Sequence, residues 1–392
     1  VKNVYITAAK RSAIGGFLGQ FNHLSSPQIA AQVIKAVADD VGHPDEVVMG
    51  CVLQAGLGQS PARQAALLAA LPNSIPCSTV NKVCGSGLKS IMMAHDQIKS
   101  GMNQHVLAGG MESMTNAPFA LERARQGFKF GHQEVLDLMN RDGLEDAYHK
   151  NAKGGRMLMG DFAEKTVEKY GFTRGDQESF AKITNERTHA NLSIIQNEIV
   201  PVIIKDAKGQ EIIISTDEPY QKVKSEKFSY LKPAFKADGT ITAATSSSLA
   251  DGAAIVAVSS EDYIAHHNLM PLAKIVGYAQ HAHEPEWFTT APISAIDKVL
   301  KKCGWGMNDV DLFEINEAFA VVPMAAMVDL NIPHEKVNVF GGACSWGHPI
   351  GASGTRIVVT LINALKSLGK KRGVAAICIG SGEGIAMAIE VI

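Results

Sequence analysis

The sequence predicts an α/β protein made of two similar halves, the first carrying a long insertion. Three observations predict it. Strand-like runs at residues 3–9, 46–53, 78–80 and 104–109 alternate with helical patterns. A similar order returns beyond residue 265. Between the two, residues 117–245 are more charged and less regular, and only after them does the first half receive its last strand, residues 253–258. Alternation of this kind implies a largely parallel sheet, each half reading as βαβαβαββ.

The chain's 392 residues exceed the usual span of one hydrophobic core, as two core-bearing halves require. With 46% apolar, 19% charged and 6% aromatic residues, the composition belongs to a compact Ala/Val/Ile/Gly-rich chain and not a disordered one. A formal net charge of −2 leaves no basic footprint for nucleic-acid phosphates. The 6 cysteines, at 51, 77, 84, 303, 344 and 378, form no C-x-x-C pair, so neither a disulfide framework nor a zinc site is expected. The first residues run directly into a strand-like segment without a secretory signal, and no apolar run reaches the ~18 residues of a membrane span. The expectation is a soluble protein of the cytoplasm, with a cleaved organelle presequence left open.

The first helix is signalled by Ser26 as a cap, Pro27 in the first turn, Ile29, Ala30, Val33, Ile34 and Val37 on one face, and Gly42 at the end. The third strand leads into the turn Cys84-Gly85-Ser86-Gly87, which opens the third helix. In the insertion, a helical pattern at 176–191 and a β-like run at 198–205 read as a binding lid, because structureless loops of that length are uncommon. The second half follows with a strand at 272–278, a helix from Ile293, a strand at 311–315, a helix from Ala318, a strand at 336–340, a helix after Pro349, and strands at 374–379 and 385–391. The resulting division is 1–117 with 246–265, 118–245, and 266–392.

Chemistry gathers at four places. Cys84 stands at a helix start, where backbone N–H groups and the helix dipole favour a thiolate, and Gly85 and Gly87 leave room for a substrate. An isolated cysteine is otherwise a small buried apolar residue. His348, in Gly347-His348-Pro349-Ile350-Gly351, holds the equivalent place in the second half, where it can take a thiol proton or merely bond within its turn. Cys378 and Asn316 each end an apolar strand, where parallel α/β sheets collect catalytic groups. Core packing for the one and helix capping for the other are the competing readings.

These motifs, taken together, resemble the thiolases over essentially the whole chain. The likeness rests on Gly56-Leu-Gly-Gln-Ser-Pro61-Ala-Arg-Gln, Asn81-Lys-Val-Cys84-Gly-Ser-Gly-Leu-Lys, Ala108-Gly-Gly-Met-Glu-Ser-Met, Asp251-Gly-Ala-Ala, Asn316-Glu-Ala-Phe, Gly347-His-Pro-Ile-Gly-Ala-Ser-Gly and Cys378-Ile-Gly. The resemblance implies a thiolase-like fold and a reversible condensation of two acetyl-CoA to acetoacetyl-CoA and CoA. It assigns the acyl nucleophile to Cys84, management of its proton to His348, α-proton transfer to Cys378, and a water beside the enolate to Asn316. Backbone N–H groups of Cys84 and Gly380 would form an oxyanion hole. By the same resemblance Ser247, Leu249 and Phe235 contact pantetheine, and Met159, Ala318 and Phe319 bound the acyl group. No cofactor or metal is implied beyond CoA itself, residues 128–141 stand where family members form tetramers, and no nucleic acid or membrane is a partner.

Departures concern the substrate. Leu158-Met159-Gly160 stands where short-chain members carry His-Met-Gly, and Thr245-Ser246-Ser247 replaces Asn-Ala-Ser. Glu383 follows the last glycine turn in place of a neutral residue, and Tyr220 replaces an arginine that meets the nucleotide, leaving Lys222 and Lys224 for its phosphates. Cys84-Gly-Ser-Gly favours the short-chain biosynthetic group, whereas Leu158 motivates the alternative of a degradative 3-ketoacyl-CoA thiolase. An acyl-CoA binding protein without turnover is the alternative of another class.

Overall fold

The computed structural model describes residues 3–151, 154–205 and 208–392; residues 1 and 2, from which the absence of a secretory signal is partly read, lie outside them. In chain order the principal elements are β1 (Val4–Ser12), α1 (Ser26–Val41), β2 (Glu46–Gly50), α2 (Pro61–Leu68), β3 (Cys77–Val80), α3 (Ser86–Ser100) and β4 (His105–Ser113). The insertion contributes α4 (Met159–Tyr170) and α5 (Arg174–Ala190). There follow β5 (Ala250–Ser260), β6 (Ala273–Ala282), α6 (Ala291–Cys303), β7 (Leu312–Ile315), α7 (Val321–Leu330), α8 (Ile350–Ser367), β8 (Arg372–Ile379) and β9 (Glu383–Val391).

The duplication is visible in the strand order, β7-β8-β9-β6-β1-β5-β4-β2-β3. Reading outward from the centre, β1-β5-β4-β2-β3 is matched by β6-β9-β8-β7. The halves meet where β1 and β6 pair antiparallel, Tyr5 opposite Lys274 and Ile6 opposite Ala273. The sheet is mixed and not largely parallel. Among the labelled strands only β2–β3, β2–β4 and β7–β8 run parallel. Residues 380–382 alone join β8 to β9, a link too short for the crossover that parallel strands need.

Local departures from the sequence reading have side-chain causes. The 336–340 segment forms no strand, only a bridge from Val337 to Phe313. Asn338, at φ 49°, offers its own amide where a ladder would run: Oδ1 accepts from Ile315 N at 2.8 Å and Nδ2 donates to Ile315 O at 2.9 Å. β2 stops at Gly50 because the N–H groups of Val52 and Leu53 donate to the Glu112 carboxylate, each at 3.1 Å. Helix α7 begins at Val321 and not Ala318, whose carbonyl is taken by Ser247 N and Oγ. Helix α1 is capped by Ser25, not Ser26; Gln28 Oε1 accepts from Ser25 N at 2.9 Å, and Gly42 ends the helix at φ 92°.

Helices α3 and α8 share one apolar cluster with strands of both halves, while α1 and α2 pack on the first half and α6 and α7 on the second. The two central helices touch almost backbone to backbone: a Cβ on Gly87 would lie 2.7 Å from Thr355 Oγ1 and 2.9 Å from Gly351 O. Cys84, just before α3, and His348, just before α8, thereby come to line one cavity. Among the described residues no helix is long and apolar enough to cross a membrane.

Candidate active site

The loop after β3 is built to aim Cys84. Val83 sits at φ 47°, a conformation that costs a β-branched residue on the order of 1–3 kcal/mol and persists only when its surroundings enforce it. Here Asn81 Oδ1 accepts from Val83 N at 2.9 Å, and Ser86 Oγ accepts from Lys82 N at 2.8 Å while donating to Val83 O at 2.6 Å. Lys82 is ion-paired with Glu383 at the head of β9, tying this loop to the second half. The glycines do not leave room for substrate as the sequence implied. A Cβ on Gly85 would strike Ile379 Cδ1 at 2.5 Å, and that on Gly87 would strike α8.

Cys84 is half-buried in the wall of a cavity of about 360 Å³ that also presents His348 and Gly380. The expected ease of ionisation does not hold. Burial pushes the thiol up to about 11, with the charge of Glu112 adding to it, against hydrogen bonds from the backbone N–H groups of Gly380 and of Cys84 itself. Helix α3 starts at Ser86, so its dipole acts from farther away than the sequence suggested. Alkylation of Cys84 by iodoacetamide should therefore rise about tenfold per pH unit to beyond pH 9, tracking the thiolate fraction. A plateau already at pH 7 to 8 would mean a preformed thiolate.

His348 is buried, and its tautomer follows from its neighbours. Ser353 Oγ donates to Pro349 O at 2.9 Å, so its single hydrogen is used and it accepts from His348 Nδ1 at 2.6 Å. Among the described residues Nε2 has no hydrogen-bond partner, which leaves it as an acceptor. Burial first, then the charge of Arg356, push the imidazole down to about 3, so it is neutral throughout the physiological range, and any proton it takes has to be held only transiently.

Asn316 and Cys378 do not line this cavity; Cys378 lies on β8 and Asn316 just past the end of the neighbouring β7, where Asn316 N donates to Ala376 O at 2.9 Å. Capping does not explain Asn316, since α7 starts five residues later and the side chain is buried with Oδ1 accepting from Arg356 Nη2 at 3.2 Å. Its Nδ2 has no partner among the described residues. Cys378 is fully buried, and burial followed by the charge of Cys84 raises its thiol well above the ordinary range, which places the two thiols within electrostatic reach.

Met159, Phe235, Ser247, Leu249, Ala318 and Phe319 all line the same cavity. Phe235 packs edge-on to Phe319 at 5.7 Å, in a space that Gly160 leaves open: a Cβ there would overlap the Phe235 ring at 2.2 Å. Lys222 and Lys224 line a neighbouring cleft that shares Ala243, Ser246, Ser248 and Leu249 with the first. Lys222 is already held by Glu218 at 2.6 Å, and Tyr220 is a buried ring packed on His189 rather than a cleft residue. Sequence reasoning missed Met114, Leu144, Phe288 and Ile350 in the cavity wall and Lys227 in the cleft. It also missed Glu112, whose carboxylate takes N–H groups from Val52, Leu53 and Gly351 and so pins the start of α8. Only the Ala108-Gly-Gly-Met-Glu-Ser-Met motif hinted at it.

Comparison with known proteins bears on this geometry. Residues 4–262 match the family model for the thiolase N-terminal domain and residues 269–391 that for the thiolase C-terminal domain. A probable acetyl-CoA acyltransferase of Staphylococcus aureus is 44% identical over 395 residues, covering 99% of this chain and 98% of that protein. The crystal structure of the Bacillus anthracis acetyl-CoA acetyltransferase superposes with a TM-score of 0.95 at 38% identity, covering 100% of this chain and 99% of the other. A thiolase of Ascaris suum in complex with coenzyme A gives 0.92 at 38% identity, with both chains covered in full, 100% each.

Proposed function

The chain belongs to the thiolase family of acyltransferases, and from that premise we propose that it interconverts acetoacetyl-CoA plus CoA with two acetyl-CoA through an acyl-cysteine at Cys84. In cleavage, Cys84 gives its proton to His348 Nε2 and attacks the 3-keto carbonyl, with the backbone N–H of Gly380 facing the developing oxyanion. The C2–C3 bond breaks, and the departing enolate takes its proton from Cys378. A thiol held well above the ordinary range is neutral at rest and suits that donation. Asn316 Nδ2 supports the enolate through a water. Coenzyme A then gives its thiol proton to the Cys378 thiolate and takes the acetyl group, Cys84 leaves with the proton held by His348, and synthesis is the reverse sequence. CoA is part of the substrates, so the reaction needs no separate cofactor.

The observation that carries this reading is one cavity presenting a thiol, an unpartnered acceptor nitrogen of a neutral imidazole and a backbone N–H aimed at that thiol, with a second thiol behind it. Brief exposure to acetyl-CoA followed by peptide mass analysis should place the acetyl group on Cys84. Label on Cys378 or Cys344 with Cys84 bare would overturn the assignment. Failure to turn over acetoacetyl-CoA with CoA would leave a binding protein instead.

For the rest of the substrate, Ser247, Leu249 and Phe235 would flank pantetheine, Met159, Ala318 and Phe319 the acyl group, and Lys224, with Lys227, the nucleotide phosphates. A homotetramer is supported by the hairpin loop bearing exposed Phe119, Phe128, Phe130 and Val135. A second reading, a degradative thiolase of broader chain length, is favoured by one feature: Leu158, Leu144, Met114 and Ile350 make an apolar wall. A chain-length series of 3-ketoacyl-CoA esters separates them. We expect kcat/KM to be highest for acetoacetyl-CoA, and higher values for longer chains would establish the second reading.

A further inference from the structure

The Asn316 amide can point either way unless something fixes it, because its oxygen accepts and its nitrogen donates. Its neighbour decides. Arg356 is buried, carries only donors, and approaches Asn316 Oδ1 with Nη2 at 3.2 Å, while Nη1 lies 3.4 Å from Glu314 Oε2. The guanidinium is also stacked over the Trp346 ring, 5.2 Å from its centroid, which restricts its plane. An amide turned the other way would set its NH2 against a guanidinium, donor against donor. The fixed orientation leaves Asn316 Nδ2 as a buried donor without a protein partner.

We propose that Arg356 is a positioning residue of the carbon–carbon bond step, holding the Asn316 carbonyl back into the protein so that its NH2 faces the reacting centre. It touches no substrate and acts through Asn316, so the proposal rests on the enolate-side role given to Asn316 above. Lysine would not replace it, lacking both the planar fork and the stack.

The test is a double-mutant cycle in the full chain with Arg356→Met, Asn316→Ala and the combined variant. Condensation of acetyl-CoA and acetylation of Cys84 are measured separately, alongside thermal unfolding. Arg356→Met should lower condensation about tenfold or more, short of the ~10² of a lost oxyanion donor, while Cys84 acetylation does not fall, since loss of the Arg356 charge can only make His348 a better proton acceptor. In the Asn316→Ala background the same change should add nothing further to the condensation loss. If the two losses multiply, Arg356 does not act through Asn316 and the proposal fails while the role of Asn316 stands. If Asn316→Ala alone condenses at the wild-type rate, the parent reading falls first. Should Arg356→Met unfold by leaving Glu314 without its partner, the cycle is run with Glu314→Gln added to every arm, removing both charges of the buried pair, and the same outcomes decide.

Discussion

A Cys378→Ala variant is expected to acetylate Cys84 at close to the normal rate and to lose condensation by on the order of 10³-fold, the usual range for removal of a general acid–base group. The separation follows from position. Cys84, His348 and Gly380 line one cavity, and attack on the thioester draws on these alone, whereas the α-proton has to reach a second thiol that does not line it. Alanine at a fully buried, apolar-packed site removes one sulfur atom, so the variant should remain folded. Quenched-flow labelling of Cys84 and steady-state condensation on one preparation measure the two steps. Wild-type condensation would make Cys378 a packing residue.

The second large effect concerns Asn316→Asp. A carboxylate here retains an acceptor for Arg356 Nη2, so the fold should tolerate it and melting should stay within a few degrees. On its other side, however, the variant replaces the unpartnered donor Nδ2 by an oxygen carrying negative charge, next to an enolate that is itself becoming negative. Condensation should drop on the order of 10²-fold or more, as when an oxyanion donor is lost. Thermal unfolding and initial rates on the same sample check both halves, and a folded variant with near-normal turnover would leave Asn316 only its structural bond to Arg356.

Much of this arrangement was legible in the sequence, and the unread remainder has a common cause. Periodicity located nearly every strand and helix of both halves, because each buries a continuous apolar face. It failed at 336–340, where apolar spacing looked like a strand but the Asn338 side chain replaced the ladder, an event that leaves no periodic trace. Turn chemistry placed Cys84 and His348 at two helix starts, yet the state of each group depends on neighbours far away in the chain. The Cys84 thiol answers to burial, to Gly380 and to Glu112, and the His348 tautomer to Ser353. Glu112 escaped notice for the same reason, since its partners Val52 and Gly351 come from different halves.

The close contact between α3 and α8 has a consequence for how this enzyme can change. A Cβ on Gly87 would meet the Thr355 hydroxyl and the backbone of Gly351 and Thr355, so there is little slack there to absorb a substitution, and a shift passes into the spacing of the two helix starts. The wall of the cavity is supplied in good part by other material: Leu144, Leu158, Met159 and Phe235 all belong to the insertion. Part of the cavity wall is thus written apart from the reaction geometry, although Met114, Ala318, Phe319 and Ile350 lie outside the insertion and Ile350 opens α8 itself. A lineage can revise the insertion's share of that wall while the two central helices, and the chemistry they align, stay as they are.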